Sequence, residues 1–189
     1  MSQSGLSTDD DEGPIDQVAA ALDATWLLES ARAVRACCGS IPARRYGNET
    51  AAAAAVIVAS RRSDRRSIDR RSACDTLGLD PSEVAHAVEL LEAKLAEPAP
   101  AAERRRLRQT LVAIDELLAA IEAGRTNPPR LAGPGFAAVD PRIRALAAQP
   151  LSAVDEDALR RDRRRFATDL SLARLGADLY VQLHVDPAD

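Results

Sequence analysis

The sequence predicts an all-α protein, and three observations support this fold class. Alanine and leucine are abundant, whereas aromatic residues make up only 3% of the chain. The residues that favour strands, such as isoleucine, valine, threonine and tyrosine, are scarce. Apolar residues recur at the three- and four-residue spacing of a helix. With 189 residues and 46% apolar side chains the chain can bury a core, so we expect one domain or two small ones.

The first helical region follows an acidic start. Residues 1–13 contain the run Asp9-Asp10-Asp11-Glu12 and few apolar side chains, which predicts disorder. From Pro14 onward, apolar residues follow helical spacing, either as one long helix or as two helices that break near Leu27. Trp26 is the only tryptophan, and we expect it to anchor the core.

A run of small and apolar residues from Ala51 to Ala59 predicts the central helix of the fold, capped by Asn48 or Thr50. A helix that is apolar on every face must be surrounded by other helices. Its alanines allow these neighbours to approach closely. We therefore expect a compact cluster of helices around this segment.

An arginine-rich connector follows the central helix, with six arginines among residues 61–71. We predict a turn and then the first turn of a helix that is capped by Ser67. This helix should end at Gly78, because glycine suits the left-handed position after a helix. The arginines of the connector are the candidate residues for binding nucleic acid or another partner: Arg61, Arg62, Arg65, Arg66, Arg70 and Arg71.

Residues 80–83, with the sequence Asp-Pro-Ser-Glu, are the strongest local indication of a helix start. They place an acceptor at the N-cap, proline at the first helical position and glutamate at the third. A stripe of apolar residues at spacings of four, three and four follows, and it consists of Val84, Val88, Leu91 and Leu95. Two short helices joined by residues 78–80 have the pattern of a helix-turn-helix.

Three segments resemble the cyclin-box repeat of the TFIIB and archaeal transcription factor B family: AAAAVIVASR at 52–61, RSI at 66–68 and LGLDPSEV at 77–84. In that family an alanine-rich central helix ends in a small residue and an arginine, and a basic connector and a helix-turn-helix follow. The resemblance covers about residues 14–97. It implies a cyclin-box-like domain in a transcription-associated protein, with DNA or a transcription-machinery protein as the partner. The chain has no zinc-ribbon cysteines and no second repeat, and we expect residues 1–97 to fold alone.

Charge alternates along the chain in blocks. Residues 32–71 hold ten arginines against three acids, and residues 72–103 hold seven acids against one lysine. These two blocks either attract partners of opposite charge or pair with each other inside the molecule. The second helix of the helix-turn-helix displays acids such as Glu89 and Glu92, which phosphates repel. We therefore expect any DNA contact to come from the connector and not from this helix in the major groove.

The remainder, residues 102–189, is predicted to be a helical C-terminal region. Its first helix has a heptad-like seam that either packs inside the fold or forms a homodimer, and the seam consists of Leu107, Leu111, Ile114, Leu118 and Ile121. Residues 124–141 are rich in proline and glycine and predict a long loop. We expect the last helix to begin at a capping box of Ser152 and Asp155 and to run to about His184.

No pattern in the chain indicates a catalytic, metal or cofactor site. The three cysteines and two histidines lack the spacing of a zinc site, and no serine or cysteine has a recognisable activating neighbour. We therefore expect a protein that is not an enzyme and binds no cofactor. The sequence shows no membrane-spanning run and no signal-peptide pattern, which predicts a cytoplasmic location. Two hypotheses follow: a cyclin-box-like transcription-associated protein, or a helical adaptor or oligomer without a nucleic-acid role.

Overall fold

The computed structural model describes residues 13–130 and 133–184, and these ranges contain helices and no strand. The fold class is all-α, as the composition predicts. Disorder was predicted for residues 1–13; residues 1–12 lie outside the described part, and Gly13 begins a helix. The α-helices of the described part are α1 (Gly13–Ala21), α2 (Leu28–Cys38), α3 (Ile41–Tyr46), α4 (Asn48–Arg61), α5 (Arg70–Leu77), α6 (Pro81–Glu92), α7 (Ala101–Glu122), α8 (Pro141–Leu146), α9 (Glu156–Leu175) and α10 (Ala177–His184).

The chain forms two compact units. Among the described residues, 13–97 and 175–184 form unit 1, and those between 98 and 174 form unit 2. The predicted C-terminal region 102–189 is therefore divided between the units, because its last helix packs with the first part of the chain. Unit 2 is inserted in the sequence of unit 1.

The centre of unit 1 is α4, as the alanine-rich run predicts. Every residue from Thr50 to Ser60 is buried, and those from Ala51 to Ser60 are at most 1% exposed. Helices α1, α2, α3 and α6 all pack against α4. The alanine side chains leave room for these four neighbours, so the helix is enclosed on every side.

Helices α5 and α6 are joined by the short turn 78–80 and pack against each other, as the helix-turn-helix pattern predicts. Asp80 caps α6, since its Oδ1 accepts hydrogen bonds from the backbone N–H groups of Ser82 at 2.7 Å and Glu83 at 3.1 Å. Gly78 ends α5 in the left-handed conformation, with φ 68° and ψ 28°. Both predicted signals are confirmed, and so is the buried stripe of Val84, Val88, Leu91 and Leu95.

The predicted cap of α5 is wrong. Asp69, two residues after Ser67, holds the N-cap position, and its Oδ2 accepts a hydrogen bond from the backbone N–H of Ser72 at 2.9 Å. Asp69 has extended backbone dihedrals, as an N-cap residue requires. Ser67 belongs to the irregular connector between α4 and α5.

Trp26 does not anchor the core, contrary to our expectation. It lies on a short 3-10 helix, Thr25–Leu27, that separates α1 from α2. Leu27 is 1% exposed there, whereas Trp26 is 37% exposed. The chain reaches this turn through Asp23, whose φ is 51°, and the changed helical phase directs Leu27 inward in place of the tryptophan. The two-helix alternative for this segment is the correct one.

Unit 2 is built on α7, which packs against α8 and two 3-10 helices, Pro134–Ala138 and Leu151–Ala153. Three side chains of the predicted seam are at most 8% exposed, and they are Leu107, Ile114 and Leu118. The other two, Leu111 and Ile121, are half-buried. The three buried side chains of the seam are therefore explained by packing inside the fold. The predicted loop 124–141 contains the first of these 3-10 helices, and its residues 131–132 lie outside the described part.

The last predicted helix is two helices. Asp155 Oδ1 accepts a hydrogen bond from the backbone N–H of Ala158 at 3.0 Å, so Asp155 alone caps α9, while Ser152 lies in a 3-10 helix. Gly176, with φ +79°, interrupts the helix between α9 and α10. This break allows α10 to pack against α2 in unit 1, where Leu179 is fully buried.

Candidate nucleic-acid interface

The connector between α4 and α5 has a fixed shape because its backbone is bonded to the end of α4. The buried hydroxyl of Ser60 donates to the carbonyl of Ile57 at 2.7 Å and accepts from the backbone N–H of Ile68 at 3.0 Å. The hydroxyl of Ser63 donates to the carbonyl of Ser60 at 2.7 Å. The arginines of this segment therefore project from an ordered backbone.

Arg62 is not available for a partner, so its place among the candidate binding residues is wrong. Its side chain is 5% exposed, and its guanidinium donates to the carbonyl of Ala96 at 2.9 Å and to the carbonyl of Leu175. Burial lowers the pKa of this guanidinium below its ordinary value. Arg62 follows the buried Val58 by four residues, so it shares a buried helix face, and that spacing could have identified it.

The other five arginines of the connector are exposed. Four of them line one surface depression of about 510 Å³, together with Ser67, Ile68 and Asp69. We call this group the arginine surface, and it consists of Arg61, Arg66, Arg70 and Arg71. Residues on both sides of the connector contribute to it, since Arg61 ends α4 and Arg70 begins α5.

Acidic groups neutralise only part of this charge. Arg61 forms an ion pair with Glu92 of α6 at 2.7 Å, and both side chains are about 40% exposed. The carboxylate of Asp69 is occupied with the cap of α5. In the part of the chain that the structure describes, Arg66, Arg70 and Arg71 form no ion pair. Arg61–Glu92 is thus an ion pair between the basic and acidic blocks, whereas the other three arginines share the depression with the single carboxylate of Asp69.

The fifth exposed arginine, Arg65, lies over the ring of Trp26. Its guanidinium carbon is 4.7 Å from the ring centroid, which is the distance of a cation–π contact. Sequence patterns did not predict this pair, because the two residues are 39 positions apart and Trp26 fitted an apolar helical spacing. An exposed aromatic ring therefore lies beside the connector.

Helix α6 displays acidic side chains at its surface, as the sequence predicts. Glu83 and Glu89 are exposed on it, and Glu92 is engaged with Arg61. Two exposed carboxylates therefore remain on α6. They disfavour base readout by this helix, because phosphates repel them, whereas the connector carries exposed arginines.

The cysteines have the properties of structural thiols. Burial raises the pKa of Cys38 from 9.0 to about 11, and its thiol donates to the carbonyl of Leu91 at 3.7 Å. Burial also raises the pKa of Cys37 and Cys74. A protonated thiol is a poor nucleophile and a poor metal ligand at neutral pH.

Residues 13–130 and 133–184 contain neither a metal-binding cluster nor a membrane-spanning helix. No group of three or more histidine, cysteine, aspartate or glutamate side chains in these ranges is arranged to hold a metal ion. None of the helices described combines the length and apolar character needed to span a membrane. Comparison with known proteins gave no match to a protein-family model, to a curated protein or to a solved structure.

Proposed function

We propose that unit 1 binds DNA through phosphate contacts made by the arginine surface. The observation that supports this proposal is the depression of about 510 Å³ lined by four arginines. A guanidinium group matches a phosphate with two parallel hydrogen bonds and keeps its charge at any physiological pH. Release of counterions from the DNA then favours binding.

The proposed contact positions the protein on DNA without reading its sequence. Arginines on an irregular connector reach phosphates, whereas base edges are read by elements that enter a groove. The element that would enter a groove is α6, and its exposed Glu83 and Glu89 oppose such an approach. The association with transcription rests on the resemblance of residues 14–97 to a cyclin-box repeat.

A triple variant tests this function. Replacing Arg66, Arg70 and Arg71 with alanine should weaken binding to a generic duplex by about tenfold or more at moderate salt, because up to three phosphate contacts disappear. Fluorescence anisotropy of a labelled duplex measures the affinity. The matched control replaces three exposed arginines of α7 with alanine, which changes the net charge equally: Arg105, Arg106 and Arg108.

The control separates a local site from a general effect of charge. The proposed function requires the control variant to bind within about twofold of the original chain. Equal losses in both variants would mean that net charge alone determines binding. A second check replaces Glu83 and Glu89 with glutamine, which should leave binding unchanged or strengthen it; a requirement for these carboxylates would contradict the phosphate-contact model.

A helical adaptor without a nucleic-acid role is the second candidate function. Arg61 and Arg62 favour it, because one is paired with Glu92 and the other is buried in hydrogen bonds to backbone carbonyls. In this case the arginines of the connector stabilise unit 1 and need no partner. The same titration distinguishes the two candidates, since an adaptor of this kind shows no salt-dependent affinity for DNA.

A further inference from the structure

We propose that Trp26 and Arg65 form a stacking site for an unpaired base, so that the DNA ligand of unit 1 is single-stranded. This inference rests on the proposed phosphate contacts of the arginine surface and adds the class of ligand. Two observations support it: an exposed tryptophan lies in contact with an exposed arginine, and this arginine adjoins the arginine surface in the chain.

The ring of Trp26 is exposed at the surface of unit 1. Tryptophan carries more apolar surface than any other side chain, and it is usually buried to a large extent. This chain has a single tryptophan, and 37% of its surface is exposed, while the neighbouring Leu27 occupies the core. The 3-10 helix thus places the tryptophan ring at the surface and the smaller leucine in the core.

The exposed ring has a cationic partner, Arg65. Arg65 places its guanidinium 4.7 Å from the ring centroid and is itself exposed. A guanidinium plane and an aromatic ring are the two kinds of surface on which proteins stack bases. Because the guanidinium lies over the ring, the two groups form one stacked platform, and the guanidinium is its outer member. A base that stacks on this guanidinium gains cationic contact from Arg65, which Trp26 holds in place.

The position of this platform determines the strand type. Arg65 does not line the arginine surface, but the next residue in the chain, Arg66, does. We therefore expect the phosphate next to a base stacked on Arg65 to contact this surface. A base in a duplex is already stacked between its neighbours and has no free face. Only an unpaired base satisfies both the platform and the arginine surface, which predicts a preference for single strands.

The single tryptophan provides a direct measurement. The full chain is titrated with oligothymidine and with a duplex of equal length, while tryptophan fluorescence and the anisotropy of a labelled strand are recorded together. We expect oligothymidine to quench the fluorescence of Trp26 in parallel with binding. The duplex should bind more weakly and leave the fluorescence nearly unchanged.

Substitutions complete the test. Trp26→Ala should lower the affinity for oligothymidine about tenfold or more and leave the duplex affinity within about twofold. Trp26→Phe keeps an aromatic ring and should retain part of the preference. Ile41→Ala is the control, since Ile41 is also an exposed apolar residue of unit 1, at 43% exposure, and this change should affect neither ligand.

The outcomes separate this inference from the proposed function. Binding of oligothymidine without quenching, together with unchanged affinity in Trp26→Ala, overturns the stacking site and leaves the phosphate contacts standing. Stronger binding to the duplex than to the single strand also overturns it. If neither ligand binds at low salt, the proposed function fails, and the stacking site fails with it.

Discussion

At the scale of single residues, unit 1 depends on a contact that joins three separate parts of the chain. The buried guanidinium of Arg62 donates to the carbonyls of Ala96 and Leu175. Gly176 adjoins this contact with φ +79°, and a Cβ there would collide with the carbonyl oxygen of Ala96 and lie 3.0 Å from Nη1 of Arg62. Glycine is required at this position both for its backbone conformation and for space.

Gly176→Ala is therefore predicted to destabilise unit 1. Backbone strain of about 1 kcal/mol and steric overlap of about 1–3 kcal/mol add in this variant. The control is Gly47→Ala, because Gly47 has φ +87° and nothing within 4 Å of an added Cβ. Thermal unfolding followed by circular dichroism should show a clearly larger decrease in Tm for Gly176→Ala. Equal decreases would indicate that no close contact exists at Gly176.

At the scale of elements, α4 organises unit 1 through its small side chains. Ile57 is a fully buried residue of α4, and four helices pack against α4. The neighbours approach closely because most residues between Ala51 and Ala59 are alanine. Such a closely packed core has no space for an additional polar group or for the water that would solvate it.

Ile57→Asp is predicted to unfold unit 1. An unpaired carboxylate in an apolar core costs several kcal/mol, which is comparable with the total stability of a domain of about 5–15 kcal/mol. Ile41→Asp provides the control, since Ile41 is 43% exposed and its substitution should change Tm little. The measurement is the unfolding transition of both variants. A soluble Ile57→Asp variant with an unchanged Tm would refute the central position of α4.

Elements whose signals are local could be predicted from the sequence. Asp80 and Gly78 make hydrogen bonds or adopt dihedrals that depend on their immediate neighbours, and both were predicted correctly. Trp26 could not be placed in the same way, because a three-residue 3-10 helix changes the phase of the apolar pattern. Arg62 was misjudged for a related reason: an arginine-rich run resembles a solvated segment, although one of its members lies on a buried helix face.

The candidate site was predictable only in part. Composition located the arginines of the connector, but it could not show that Arg61 pairs with Glu92 or that Arg65 covers Trp26. Both contacts join residues that are 31 or more positions apart in the chain. The tertiary structure brings these residues together, and no local sequence pattern predicts such contacts.

At the scale of the whole molecule, unit 2 is an insertion in the sequence of unit 1. The chain leaves unit 1 after Glu97 and returns at Leu175. Within unit 1, Arg62 donates to the carbonyls of Ala96 and Leu175, and Asp178 Oδ2 accepts from the backbone N–H of Ala96 at 2.8 Å. Helix α10 thus completes unit 1, and the expectation that residues 1–97 fold alone omits this helix.

Removal of unit 2 tests this organisation. A chain in which a short glycine-serine linker replaces residues 98–174 should unfold cooperatively, because unit 1 keeps α10 and the buried Leu179. Residues 1–97 alone lose the contacts of α10 with α2 and should have a lower Tm or no transition. Equal Tm values for the two chains would show that α10 contributes nothing to unit 1.

If the arginine surface binds DNA through phosphate contacts, as we propose, the affinity must fall as the salt concentration rises. The association constant of the full chain is measured with a generic duplex of about 20 base pairs over a range of salt concentrations. Each phosphate contact contributes roughly −0.9 to the slope of log K against log salt. With contacts from Arg66, Arg70 and Arg71 we predict a slope of about −3, which should approach zero when these arginines are replaced with alanine. A slope near zero for the original chain, or no binding at low salt, would contradict the account.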